Sequence, residues 1–314
     1  MATASVHPDA ILKELGKLWI DLGKQNPETG VLRACAMTFI VVAAEEDDPQ
    51  VFGETVAELT HENPSRAIIL RVCCPGDERL ESRVYAQCWK PFGRQQQICS
   101  EVVEISASPE HLSDVPQIIL GLTVPDLPIV VWSRSPDFIQ SSNVDGLLAR
   151  ADKVIVDSAR IPDPEQGLAY VKALRSRGIN VGDLAWTRMS PWRQSVAQIF
   201  EDAGRPKLQK VRITYYKQSP SVSGRYLAAW FRQAVPGLAV KLEPAPDTKR
   251  RSIFLEAEGL QASVEVEGST ALLTVNGLTR QSAVPDRDDA ALLREELAIL
   301  GQDTTFRKVI QSAE

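Results

Sequence analysis

The sequence predicts an α/β fold: a mainly parallel, Rossmann-like sheet with helices on both faces, plus a smaller C-terminal α+β domain. Three observations predict it. Over residues 30–205, short runs rich in Val, Ile and Ala alternate with amphipathic stretches of helical length, the grammar of βαβ units. Several of those runs are apolar throughout, as strands buried on both faces are. After Gly204-Arg-Pro-Lys207 the alternation gives way to short strands separated by glycine turns. The domain boundary is therefore placed at 205/206, with a Rossmann-like domain over 1–205 and an α+β domain with antiparallel strands over 206–314.

Residues 8–24 read as an amphipathic helix, with Ile11, Leu15, Leu18 and Leu22 at helical spacing and Leu12 and Trp19 widening the stripe. Arg33–Val42 reads as one buried strand. A helix over 49–61 turns Val51, Phe52, Val56 and Leu59 inward. Asn63-Pro-Ser-Arg66 is a turn into the strand 67–73. The runs 82–90 and 95–105 read as an antiparallel hairpin, because only Pro91-Phe-Gly-Arg94 separates them. A helix over 112–122, a strand at 129–132, a helix over 143–150, a strand at 153–157, a helix over 164–177 and a strand from Val181 to Trp186 complete the first domain. In the second, strand 209–216 and a helix over 224–235 precede strands 238–243, 251–257, 261–267 and 270–276. Gly259 and Gly268-Ser269 supply hairpin turns. A Leu- and Glu-rich helix follows at 288–300, and the last dozen residues are expected to fray.

Composition narrows the function classes. A formal net charge of −6, from 35 basic and 41 acidic residues, gives no nucleic-acid footprint. No apolar run approaches the ~20 residues that span a bilayer, and the N-terminus lacks signal-peptide features. A cytoplasmic protein with no membrane association is expected. The five cysteines (Cys35, Cys73, Cys74, Cys88 and Cys99) show no framework spacing and no C-x-x-C. They read as small buried hydrophobes, and Cys73-Cys74 or Cys99 could form a regulatory thiol pair if the fold brought them to the surface. No metal site is expected, since His7, His61 and His111 are scattered.

Catalytic motifs are missing. No G-x-G-x-x-G follows the first strand, and neither a G-x-S-x-G elbow nor H-E-x-x-H occurs. No cofactor is implied. Glu45-Glu-Asp-Asp48 and Asp286-Arg-Asp-Asp289 read as solvated loops or helix starts. The richest stretch is Asp183-Leu-Ala-Trp-Thr-Arg-Met-Ser-Pro-Trp-Arg193, which reads as strand end, turn and helix start. Ser190 is the expected N-cap and Pro191 the first helical residue, and free N–H groups there would suit an anion or a partner's carboxylate. Three strands end in polar signatures: Trp132-Ser-Arg134, Asp157-Ser158 and Trp186-Thr-Arg188. Ligands meet open α/β sheets at such ends. The candidate partner- or anion-binding surface is therefore Trp132, Arg134, Asp157, Ser158, Trp186, Thr187, Arg188, Trp192 and Arg193, with no catalytic residue among them. The plainer alternative is that the Trp rings are core, the Arg side chains structural clamps, and Asp157 and Ser158 ordinary helix caps.

Several of these stretches, in this order, resemble the glucose-6-phosphate dehydrogenase assembly protein family, OpcA. They are Arg33-Ala-Cys-Ala-Met-Thr-Phe-Ile-Val-Val, Asn63-Pro-Ser-Arg-Ala-Ile, Ile98-Cys-Ser-Glu-Val, Pro125-Asp-Leu-Pro-Ile-Val-Val-Trp, Val154-Ile-Val-Asp-Ser and, most specifically, Asp183–Arg193. They cover most of residues 30–205, and the C-terminal third matches less well. The family usually has His-Pro-Ser-Arg where this chain has Asn63-Pro-Ser-Arg66, and Cys-Glu or Tyr-Glu where it has Cys99-Ser-Glu101, so no metal or redox role is carried over from those patterns. The resemblance implies a non-catalytic cytosolic protein that binds glucose-6-phosphate dehydrogenase, promotes its active oligomer, raises its activity and so supports the oxidative pentose phosphate pathway and NADPH supply. From the residues alone, a phosphosugar- or nucleotide-binding enzyme or sensor using the strand-end rim is the alternative.

Overall fold

In the computed structural model, which describes residues 6–25, 30–43, 47–73, 79–91, 93, 96–215, 219–245, 251–284 and 287–313, the chain divides into two compact units, Met1–Val156 and Asp157–Glu314. The first contains α1 (Pro8–Gln25), β1 (Val31–Arg33), β2 (Met37–Ala43), α2 (Pro49–Glu62), β3 (Ser65–Val72), β4 (Leu80–Trp89), β5 (Gln97–Ala107), α3 (Val115–Leu122), β6 (Ile129–Ser133), α4 (Pro136–Gln140), α5 (Asp145–Leu148) and β7 (Lys153–Val156). Strands β5, β3, β2, β6 and β7 lie side by side in parallel. The short β1 adds in parallel to β5, and β4 pairs antiparallel along all of it. Every residue of β2 and β7 is buried. Because successive side chains point to opposite faces, both faces of these strands are covered. That is why they read as unbroken apolar runs.

Local chemistry sets the element ends. Asp48 caps α2 by accepting from the Gln50 amide at 2.8 Å, with Pro49 in the first turn. Phe52, Val56 and Leu59 of α2 are buried as expected. The side chain of Val51, Cys74, and Glu45, Glu46 and Asp286 of the acidic clusters lie outside the described residues. The single strand expected over Arg33–Val42 is two strands. The Ala34 amide bonds the Cys99 carbonyl and the Ala36 amide bonds the Pro64 carbonyl, so the chain leaves β5 and re-enters between β3 and β6. The helix expected over 143–150 is a short turn plus α5, and α4, capped by Ser135 onto the Phe138 amide, was not anticipated.

The cysteine reading needs correction. Cys88 and Cys99 face each other in the β4–β5 register and form a disulfide, with Cα atoms 4.0 Å apart. Cys35 and Cys73 are free and half-buried.

Two of the stretches behind the family resemblance meet inside this unit. Arg66 of β3 donates from Nε to Glu101 Oε2 at 2.7 Å and from Nη1 to the Leu122 carbonyl at 2.8 Å. Arg33 reaches Glu101 Oε1 at 2.7 Å, and the Trp19 indole donates to the same oxygen. Glu101 and Arg66 are buried. On β5, three residues along and so on the other face, Glu104 is held between Arg71 and Arg83. Burial pushes the Glu104 carboxyl up, but the two guanidiniums outweigh it and leave it below the usual range.

The second unit contains α6 (Pro164–Ser176), β8 (Val181–Asp183), α7 (Leu184–Thr187), α8 (Ser190–Asp202), β9 (Leu208–Tyr215), α9 (Val222–Ala234), β10 (Ala239–Pro244), β11 (Arg251–Ala257), β12 (Leu260–Glu267), β13 (Thr270–Val275), β14 (Leu278–Ala283), α10 (Asp289–Leu297) and α11 (Thr304–Ser312). Its sheet runs β10-β9-β11-β12-β13-β14. It is mixed rather than wholly antiparallel, because β9 and β10 pair in parallel across the α9 connection. One face packs Val211, Ile213, Ile253, Leu255, Val264 and Leu273 with Val196 and Ile199 of α8 and Leu227 and Phe231 of α9. The change of grammar near Gly204 thus marks the end of α8 and the start of this sheet, while the compact unit begins at Asp157.

Two elements here were not anticipated. Strand β14 is exposed throughout and follows Asn276-Gly277, both at positive φ (49° and 83°), a type I′ hairpin turn. Helix α11 replaces the expected frayed tail. Asp303 caps it by accepting from the Thr305 and Phe306 amides, and Phe306, Val309 and Ile310 are buried. Among the described residues no helix is long and apolar enough to cross a membrane.

Candidate functional site

The stretch Asp183–Arg193 is the hub of the second unit, and its geometry differs in two respects from the strand–turn–helix reading. Strand β8 stops at Asp183, and Trp186 lies in the short helix α7. Ser190 is the first residue of α8 rather than its cap; Met189 holds the cap position, and no side chain caps it. The Arg188 and Met189 amides bond the carbonyls of Leu184 and Trp186, so these amides are committed to α7.

Asp183 is fully buried. Its carboxylate accepts from the Ser158 amide at 3.1 Å, the Ala185 amide at 2.9 Å, the Tyr226 hydroxyl at 2.7 Å and the Ser158 hydroxyl. Burial raises its pKa to about 6, neighbouring Asp157 acts in the same direction, and the hydrogen bonds from Ser158 and Tyr226 hold it back. Burial, with the adjacent carboxylate, pushes the Tyr226 hydroxyl well above its ordinary value.

Asp157 takes a bidentate pair from Arg188, both bonds 2.7 Å, the strong geometry for a guanidinium and a carboxylate. Burial alone would lower the Arg188 pKa, but Asp157, with help from Asp289, leaves it raised. Asp157 also accepts from the Ala159 amide, so its helix-cap role and its ion pair coexist.

The remaining residues of the stretch are tied to the C-terminal helices. The Trp186 indole donates to Asp303 at 3.0 Å, and its ring stacks on Phe306 with centroids 5.5 Å apart. Arg193 also lies over that ring, 3.5 Å from its centroid. Burial lowers the Arg193 pKa to about 10, so it stays charged at neutral pH. Thr187 bonds Glu296, Ser190 bonds Glu295, and Arg287 joins Glu295 to the Thr187 carbonyl. Trp192 is 7% exposed and packs in the sheet core.

Of the sequence-selected residues, Asp157, Ser158, Trp186, Thr187, Arg188, Trp192 and Arg193 fall in this unit. Trp132 and Arg134 belong to the first unit, at the end of β6. There Trp132 is fully buried and stacks on Phe52 at 5.1 Å, and Arg134 pairs with Asp47 at 2.7 Å. Asp183, Tyr226, Asp303, Glu295, Glu296 and Arg287 complete the hub, and sequence reading did not select them as site residues. Only Asp303, a helix-cap residue before an i, i+3, i+4 apolar pattern, carried a local signal.

The chemistry of this arrangement is positional. Ser158 donates to a carboxylate that is itself shut off from solvent, and all three histidines lie in the first unit. Among the described residues of this hub, no base stands beside an accessible nucleophile. Close packing reinforces this reading at Gly167 of α6. A Cβ there would lie 2.8 Å from the Ser158 carbonyl oxygen and 3.0 Å from a Val222 methyl. Gly167→Ala gains up to about 1 kcal/mol in helix propensity but forces α6 off its seat, so a net loss of about 1–3 kcal/mol is expected in urea denaturation. An unchanged or raised midpoint would show that the seat yields.

Residues 56–173 match the family described as glucose-6-phosphate dehydrogenase subunit N-terminal domain, and residues 179–310 match the corresponding C-terminal domain. The chain belongs to the glucose-6-phosphate dehydrogenase assembly family, OpcA. The second OpcA match begins just before β8, so the whole Asp183–Arg193 hub and its C-terminal clamps lie inside it. Similar proteins named OxPP cycle protein OpcA occur in Synechocystis sp. (27% identical over 187 residues, 57% of this chain and 39% of that protein) and in Nostoc punctiforme (28% over 171 residues, 52% and 36%). A third, from Synechococcus elongatus, is 25% identical over 248 residues, 75% of this chain and 56% of that protein. The chain thus spans between about a third and just over half of the length of these OpcA relatives. Among solved structures, a biliverdin reductase from Synechocystis sp. aligns over 90% of this chain and 95% of its own with 10% identity and a TM-score of 0.46; no functional conclusion is drawn from it.

Proposed function

We propose that this chain is a non-catalytic assembly factor and allosteric activator of glucose-6-phosphate dehydrogenase, working in the cytoplasm in support of the oxidative pentose phosphate pathway and NADPH supply. The observation that carries this reading is the family match, which takes in both halves of the chain. The residues at the centre of the first sheet support it. Strand β2 lies between β3 and β6, the position from which a dinucleotide fold reaches its cofactor with a glycine-rich turn. Here β2 is followed in sequence by Ala44-Glu-Glu-Asp-Asp48, acidic and without glycine.

Activation requires only differential binding. An activator that prefers the enzyme's active state by about 1–3 kcal/mol produces a 5- to 150-fold effect. Within the proposed surface, the buried Trp186 ring holds Arg193 and Asp157 holds Arg188, and the remaining guanidinium donors are the groups offered to a partner carboxylate. Sedimentation of the organism's own dehydrogenase with and without this chain tests the assembly role. A shift of the enzyme to a larger species with the chain present is the predicted result, and identical profiles would contradict it. Arg188→Ala combined with Arg193→Ala should lower activation at least several-fold, with near-ultraviolet circular dichroism reporting whether the hub survives. Full activation by a folded double variant would remove this surface.

A further inference from the structure

We propose that the second unit holds a binding site for a small phosphate monoester, in the cleft where Arg188, Arg251 and Arg287 converge beside Trp192. This inference does not depend on the dehydrogenase as partner. The cleft has a volume of about 480 Å³ and is lined by these three guanidiniums, the Trp192 ring, the Gly268-Ser269 turn and an apolar wall that includes Val266 and Val284. Among the described residues no acidic side chain lines it.

Two of the three guanidiniums are fixed from behind. Asp157 holds Arg188 through a bidentate pair, and Glu295 with the Thr187 carbonyl holds Arg287. A guanidinium carries five N–H donors, so each keeps donors for a ligand in a geometry its internal acid has already set. Arg251 is different. Among the described residues it has no carboxylate partner, and it lies over Trp192 at 5.9 Å. Among the described residues Arg251 is therefore the cleft's unmatched cation, while Asp157, Asp289 and Glu295 offset Arg188 and Arg287.

Ligand class follows from charge, shape and size. Convergent guanidiniums favour a dianionic tetrahedral group over a single carboxylate. The volume falls within the ~300–1,000 Å³ of small-molecule sites and exceeds what inorganic phosphate would fill. The apolar wall and the Trp192 ring suit the organic part of the ester. A phosphosugar and a nucleoside monophosphate share this chemistry, and the test separates them.

The experiment uses the chain alone and follows thermal melting and intrinsic tryptophan fluorescence against glucose 6-phosphate, AMP, inorganic phosphate, glucose and adenosine at constant ionic strength. The proposal predicts a saturable rise in melting temperature with glucose 6-phosphate or AMP, since a ligand bound to the folded state stabilises it by mass action. Glucose and adenosine should produce none. Whichever ester shifts the protein identifies the organic part. Arg251→Gln should weaken that ester about tenfold or more, the cost of a lost charge-assisted bond. Arg212→Gln, which removes an arginine lying over Phe254 and outside the cleft lining, should not. No shift with either ester, an equal shift with the uncharged controls, or undiminished binding by Arg251→Gln would overturn the site. Dehydrogenase activation that persists alongside such a result would leave the proposed function standing and remove only the ligand site.

Discussion

Asp183→Ala is expected to destabilise the second unit by about 3–5 kcal/mol, because it strips the acceptor from two buried amides and the Tyr226 hydroxyl at once. Asp183→Asn keeps the shape and one acceptor oxygen and should cost far less. The same pair of proteins reads the carboxyl's titration. Its folded pKa of about 6 lies above its ordinary value of 3.8, so between those values the folded state binds more protons than the unfolded one. The stabilisation from this group is complete below the unfolded pKa and is lost as pH rises through the folded one. Relative to the non-titrating Asn variant, the wild type should lose about 2 kcal/mol between pH 4 and pH 7. Urea denaturation across that range measures it. A difference independent of pH would mean that Asp183 is ionised at little cost, and that its four donors fully replace water.

The second large effect is expected at Glu101. Glu101→Ala leaves the Arg66 guanidinium buried with only the Leu122 carbonyl for company. Removing one partner of such a pair typically costs about 3–5 kcal/mol. Arg33, the other partner, has a side chain 49% exposed, and Arg33→Ala should cost less than about 1 kcal/mol. The ratio between the two variants is the informative quantity. Equal effects would show that Glu101 is anchored mainly by its exposed partner and the Trp19 indole, and not by the buried pair.

Glu101 and Arg66 also show what was legible in the sequence and what was not. The parallel core was legible because β2, β3, β6 and β7 are largely buried on both faces, so their central positions are continuously apolar. The β4–β5 hairpin was legible from its loop, but the disulfide was not: Cys88 lies three residues before Pro91 and Cys99 five after Arg94, so the loop alone does not place them opposite each other. Strand β14 was announced by Asn276-Gly277 and helix α11 by Asp303 before Phe306, Val309 and Ile310. These were local signals passed over because the flanking segments are short and polar. The division of Arg33–Val42 into two strands was not legible, since it depends on amides of Ala34 and Ala36 finding carbonyls on different neighbours.

The candidate site was half legible. The importance of Asp183–Arg193 was apparent from its density of Trp and Arg, as were Asp157 and Arg188 as members. What the sequence did not reveal is that the stretch is held by Asp303, Glu295, Glu296 and Arg287, about a hundred residues further along. The plainer sequence reading, with the Trp rings in the core, is the one that the burial of Trp132, Trp186 and Trp192 matches. Ion pairs at that separation leave no periodic trace, and a Trp that anchors a partner looks, in sequence, like a Trp that anchors a guanidinium.

The proposed role requires that this chain change another enzyme's rate and perform no turnover of its own. Initial velocities of the organism's glucose-6-phosphate dehydrogenase, titrated with the purified chain at subsaturating glucose 6-phosphate, test it most directly. A saturable rise in velocity, with none from the chain alone, is the predicted result. A flat titration, or NADP reduction by the chain in the absence of the dehydrogenase, would contradict it.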